Sequence, residues 1–280
     1  MKKTTLMITL LAALTVMTGL TGCGEKNPSS DSSAEVSASI SESVSESESS
    51  SESSSESSSG ISSEETSEED SAAMKEAARA ALEQVLSDHI LPDGSDFSYD
   101  ESFGALSDNR FAIFDADGDG KDELILSITT APSVGMVEMI YGYDAENGTF
   151  SAELTEFPAI TYLENGLLKA GWSHNQGLAN PDTWPYTLYR YNAEKDSYDL
   201  VAGVDSWDKS ICPEDLDGNP FPDDIDEKGD GIVYLVEKDG STDTLSKEDF
   251  DAWYKEETGN AEEVSVPYEA LTEENISAIQ

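Results

Sequence analysis

The nonapeptide Asp115-Ala116-Asp117-Gly118-Asp119-Gly120-Lys121-Asp122-Glu123 sets carboxylates at its first, third, fifth and ninth positions. On a chain that must turn sharply, alternate oxygens converge on one centre, and a hard cation asks for roughly six to eight of them. Gly118 and Gly120 allow that turning. In this reading Asp115, Asp117 and Asp119 give carboxylate oxygens, Lys121 gives its backbone carbonyl, and Glu123 closes the shell directly or through water. Ca2+ fits better than magnesium, which demands a strict octahedron and keeps its waters. The alternative is a solvated acidic hairpin tip, whose clustered charges repel one another when no cation is bound.

The loop is not an EF-hand. Its twelfth position is Leu126 where that motif needs glutamate, and the flanking RFAIF and LILSI read as strands. The pattern DxDxDGxxE between two strands resembles the calcium loops of FG-GAP and VCBS repeats, the integrin-propeller type. The resemblance implies calcium binding and, more remotely, a propeller fold with an adhesion partner. It reaches little beyond the loop and its flanks, and those families carry several copies.

A second acidic stretch keeps oxygen ligands at the same offsets: Asp215, Asp217, Asn219 and Asp223, with Asp226 and Asp230 nearby. Pro220 stands there in place of the glycine at position six, so a Pro-stiffened acidic turn is the competing reading. Residues 172–186 (WSHNQGLANPDTWPY) mix aromatics with amides. Trp172, His174, Trp184 and Tyr186 thus offer stacking platforms for a polar ligand such as a surface glycan or a protein segment. The competing reading is ordinary packing at strand ends. No G-x-S-x-G elbow, H-E-x-x-H, phosphate loop or cysteine–histidine pair occurs. Catalysis would have to come from paired carboxylates, as in a surface hydrolase of glycan or peptide.

Elements that would position these residues follow from periodicity. Met74, Ala77, Ala78, Ala81, Leu82, Val85 and Leu86 form a helical stripe opened by Ser71. His89 near its end needs no role beyond complementing the helix dipole. Period-two segments at 110–115, 123–130, 136–143, 149–154, 159–163, 167–172, 187–191, 197–204 and 232–237 read as strands. Asn147-Gly148 and Asn165-Gly166 supply hairpin turns with positive φ at both central positions. Residues 247–256 and 272–279 read as helices. The expected fold is α+β: an N-terminal helix, a mainly antiparallel curved meander and C-terminal helices. A repeat at an offset of 48 residues, YGYDAENGTF against YRYNAEKDSY, suggests a partial β-propeller-like alternative.

Charge narrows the partners. With 59 acidic against 15 basic residues the net charge is −44, which excludes nucleic acid and disfavours anionic membrane surfaces. The stretch 72–280 alone holds 46 acidic against 12 basic residues, so this domain repels itself unless cations bind. Lys2 and Lys3 precede an apolar run from Leu6 to Leu20, shorter than the roughly 20 residues a membrane-spanning helix needs. That run ends in Leu20-Thr21-Gly22-Cys23, which resembles the lipobox of bacterial lipoproteins. The resemblance implies cleavage after Gly22 and a diacylglyceryl anchor on Cys23, hence membrane attachment on the outer face of the cell. Residues 1–22 are then a signal peptide, and 23–71 a lipidated cysteine and a disordered Ser/Glu tether that suits a Gram-positive wall. Cys212 is left without a disulfide partner.

Overall fold

The computed structural model describes residues 62–280, apart from 176 and 180–182. The lipobox, Cys23 and most of the tether lie outside the described residues. Helix α1 (Ser62–Asp88) begins nine residues before the expected Ser71. The helix stops at His89, whose φ of +56° is the left-handed conformation that closes a helix. The imidazole then lies against Tyr99 in a tilted arrangement, ring centroids 5.2 Å apart.

Two antiparallel sheets follow where a single meander is expected. The first is β1 (Arg110–Phe114), β2 (Glu123–Ile128), β3 (Val137–Asp144) and β4 (Thr149–Glu156), each paired with the next. The second is β5 (Ile160–Leu163), β6 (Leu167–Gly171), β7 (Tyr186–Asn192), β8 (Ser197–Asp208), β9 (Ile232–Lys238) and β10 (Ser241–Leu245). Pro158 explains the break, because it has no N–H to extend the ladder and restricts the residue before it. After helix α2 (Lys247–Thr258), β11 (Glu263–Val264) joins the second sheet beside β5, and β12 (Glu269–Ala270) joins the first beside β1. A short helix α3 (Glu273–Ser277) ends the chain. Open sheets of five and seven strands are not the four-stranded blades of a propeller. The α+β class holds.

Side-chain alternation sorts the residues into layers. Ala112, Ile125, Ile140 and Leu154 from the first sheet meet Tyr162, Leu168 and Tyr198 from the second. The other face of the first sheet packs Phe111, Leu124, Leu126, Met139 and Tyr141 against Met74, Ala78, Leu82 and Val85 of α1 and Ile276 of α3. Leu163, Leu167, Leu188 and Val201 on the far face of the second sheet pack against Trp253 of α2. The order is therefore helix, sheet, sheet, helix.

The repeat at offset 48 corresponds to two equivalent hairpins, β3–β4 and β7–β8. Each carries a bulge at the same place: Glu153 is skipped between the partners of Ile140 and Tyr141, and Val201 between the partners of Leu188 and Tyr189. In both Asn-Gly turns only the glycine has positive φ, +66° at Gly148 and +73° at Gly166. The connections have four and three residues, so they are not the two-residue turns expected.

Candidate metal centre

Strands β1 and β2 end their ladder at Phe114 opposite Glu123, and the acidic loop closes the hairpin between them. Inside the loop each carboxylate captures backbone donors. Asp115 accepts the N–H of Gly118 at 2.8 Å and of Gly120 at 3.2 Å. Asp117 accepts from the Asp119 N–H at 2.8 Å, and Glu123 Oε2 from the Ala116 N–H at 2.7 Å. One oxygen each from Asp115, Asp117 and Glu123 lies within 4.8 Å of the others. That spacing suits oxygens sharing a cation at roughly 2.3–2.6 Å.

Asp119 stands apart from that trio. Its carboxylate accepts the Lys121 N–H at 2.8 Å and pairs with the Lys121 ammonium at 3.4 Å. Lys121 therefore neutralises one loop carboxylate, besides the backbone carbonyl expected of it as a ligand.

Burial gives the cluster its electrostatics. Asp117 and Glu123 are only 7% and 4% exposed. Loss of solvent pushes the Glu123 carboxyl up to about 9, against the pull of the Ala116 N–H, and the charges of Asp117 and Glu153 push the same way. Asp117 is raised for the same leading reason. Without a cation the charged forms are disfavoured here, and a bound divalent ion reverses that preference.

The second sheet steadies the loop. Gly166, in the β5–β6 turn, comes so close that a Cβ there would lie 1.9 Å from the Asp117 carbonyl oxygen. Only glycine permits this approach at that φ.

Sequence reasoning missed Glu153, on the β4 bulge. Leu124 pairs with Tyr141, so the next residues along, Glu123 and Gly142, share the face turned to the second sheet. A Cβ on Gly142 would lie 2.0 Å from Glu153 Oε1, so the Glu153 side chain occupies the space that glycine leaves. Glu153 is 8% exposed, and its carboxyl is pushed up to about 8, first by burial and then by Asp196, Asp117 and Asp119. Its only sequence signals were an acidic residue inside an apolar-patterned strand and its place in the repeat.

No family model, curated protein or solved structure matches the chain. Function has to be read from side-chain geometry.

The second acidic stretch closes on itself. Asp215 accepts from the N–H of Asp217 at 2.9 Å and of Asn219 at 2.7 Å, and from the Asn219 amide at 2.8 Å. Asp223 is paired with Lys209. Among the described residues these side chains form no group of converging ligand atoms.

The aromatic stretch is divided between the two faces of the sheet. Trp172 donates its indole N–H to Thr187 at 2.9 Å, and Trp184 donates to the Trp172 carbonyl at 2.7 Å. Tyr186 packs with the Leu163–Leu188 cluster beside α2, with the Lys169 ammonium 4.9 Å from its ring. His174 is exposed and meets Ser173 at 3.0 Å. Trp184 is 44% exposed, whereas Trp172 and Tyr186 are half-buried. Cys212 packs partly buried beside Trp207 and Phe221.

Proposed function

We propose that this protein is a lipid-anchored bacterial surface protein whose folded domain is held together by Ca2+ and serves as a binding or adhesion module. The observation that carries the cation is the convergence of Asp115, Asp117 and Glu123 within 4.8 Å, two of them buried. Calcium is the preferred ion because the donors are all oxygens and the environment is exported. There a site of about 10⁻⁴ to 10⁻³ M affinity fills, and tenfold excess over Kd stabilises a fold by about 1.4 kcal/mol. The anchor rests on Leu20-Thr21-Gly22-Cys23, and the Ser/Glu tether would carry the domain outward from the membrane. Among the described residues no helix is long and apolar enough to cross a membrane. A surface glycan or protein is the ligand class that exposed Trp184 suits. The pair Glu123 and Glu153, with raised proton affinities, is the acid/base candidate of the hydrolase alternative. Both are buried against the second sheet, which supports the binding reading over turnover of a polymer.

The test is the thermal midpoint of the full-length protein in EDTA and across a calcium titration. Calcium at tenfold excess is expected to raise it by about 3–6 °C. The rise should vanish in Asp115→Ala and not be reproduced by magnesium. A wild-type midpoint indifferent to calcium would reduce the loop to an acidic hairpin tip.

A further inference from the structure

We propose that Glu153 is a ligand of the cation held by the β1–β2 loop, supplied from the bulge of β4 some thirty residues beyond the acidic motif. The inference rests on the loop binding a cation at all.

The loop alone falls short of a full shell. Only three of its side chains converge, and Asp119 is turned to Lys121. A calcium ion seeks roughly six to eight oxygens, so carbonyls, water or a further side chain must complete the set. The fold brings a further carboxylate beside the trio, outside the group of oxygens that lie within 4.8 Å of one another. Glu123 on β2 and Gly142 on β3 share the inner face, and the Glu153 carboxyl from β4 lies across the bare backbone of Gly142. A bulge re-aims a side chain, and this one directs an acid inward where the equivalent bulge in β8 directs Val201 to the outer core.

Two buried oxygens there are without partners. Glu153 Oε2 has no hydrogen-bond donor among the described residues, and neither does the hydroxyl of Tyr198, which reaches the cluster from the second sheet. Their side chains belong to residues 8% and 9% exposed. An unsatisfied buried carboxylate oxygen costs more than a neutral one, and four carboxylates of like sign around it supply no donor. A cation satisfies Glu153 outright and gives the Tyr198 hydroxyl a bound oxygen to which it can donate.

Calcium chloride titrated calorimetrically into full-length wild type, Glu153→Gln and Gly142→Ala tests this, with midpoints in EDTA as the control for folding. Glu153→Gln is expected to weaken calcium binding at least tenfold while holding the midpoint in EDTA, since the amide keeps the size of the side chain. A merely structural glutamate would lower the midpoint and leave the affinity alone. Gly142→Ala fills the space of Glu153 Oε1 and should weaken binding too. Wild-type affinity in Glu153→Gln overturns the proposal. Absence of calcium binding in wild type overturns the loop reading and this one together, so the two failures are distinct. Should Glu153→Gln not fold, Glu153→Asp carries the test: its shorter reach should lower affinity, and unchanged affinity overturns the assignment.

Discussion

Replacing Gly166 with alanine tests whether the second sheet holds the metal loop in shape. Two costs add. A non-glycine residue at φ +73° carries left-handed strain of about 1–2 kcal/mol. The new Cβ would also lie 1.9 Å from the Asp117 carbonyl oxygen and 2.7 Å from its carbon, both backbone atoms that cannot swing aside. Forcing them apart should cost a further 1–3 kcal/mol or so, the usual range for overpacking. Gly148 provides the control: it occupies the other Asn-Gly turn at φ +66°, and its nearest neighbour would be the Tyr143 hydroxyl at 3.9 Å. Gly148→Ala should therefore lose only the strain. For a domain of this size, where 1 kcal/mol moves the midpoint by about 2–4 °C, the two variants should differ by about 2–12 °C. Scanning calorimetry in EDTA measures that difference. Repeating the scans with calcium gives a second readout, because displacing Asp117 should shrink the calcium-induced rise in Gly166→Ala and leave it intact in Gly148→Ala. Equal midpoints for the two variants would refute the claim that the turn buttresses the loop.

Asp119→Ala should weaken calcium binding less than Asp115→Ala, since Asp119 is paired with Lys121 and lies outside the converging trio; calorimetric titration of both variants checks the order. Asp205 is buried and its carboxyl is pushed up to about 6 by loss of solvent. The folded state therefore holds this proton more tightly than the unfolded chain, so the associated stability is present below about pH 4 and is lost as pH rises through 6. Asp205→Asn should gain about 2 kcal/mol relative to wild type between pH 4 and pH 7, read from urea midpoints at the two values. Leu82→Ala, at a fully buried position on α1, should cost about 2–5 kcal/mol by urea unfolding, and a smaller loss would mean that α1 is dispensable.

Period-two and period-3.6 patterns located most of the long elements, because these have one face in a core and the other toward solvent or a second layer. The strands that escaped notice lack that signature. β10 (STDTL) is a polar edge, and β11 and β12 are two residues each, formed by the edges they meet. Division into two sheets hinged on Pro158, a signal visible in the sequence but local in appearance. The trio Asp115, Asp117 and Glu123 was legible because its spacing is local. Glu153 was not, since a sheet register, a bulge and one missing Cβ bring it there. The division of the aromatic stretch was not legible for a related reason: Tyr186 and Thr187 are consecutive in a strand, and that single step sends the two side chains to opposite faces.

The placement of β11 and β12 sets an order on folding. The edges of β1 and β5 exist once residue 163 has been made, yet the strands that cover them come from residues 263–270. Throughout the intervening synthesis two rows of backbone donors and acceptors stay open, a state prone to pairing with other chains. Such late, distant closure is slow, and a chain released with its last twenty residues trimmed would keep both rows bare. Loss of residues 261–280 should therefore promote aggregation before it disturbs the metal loop.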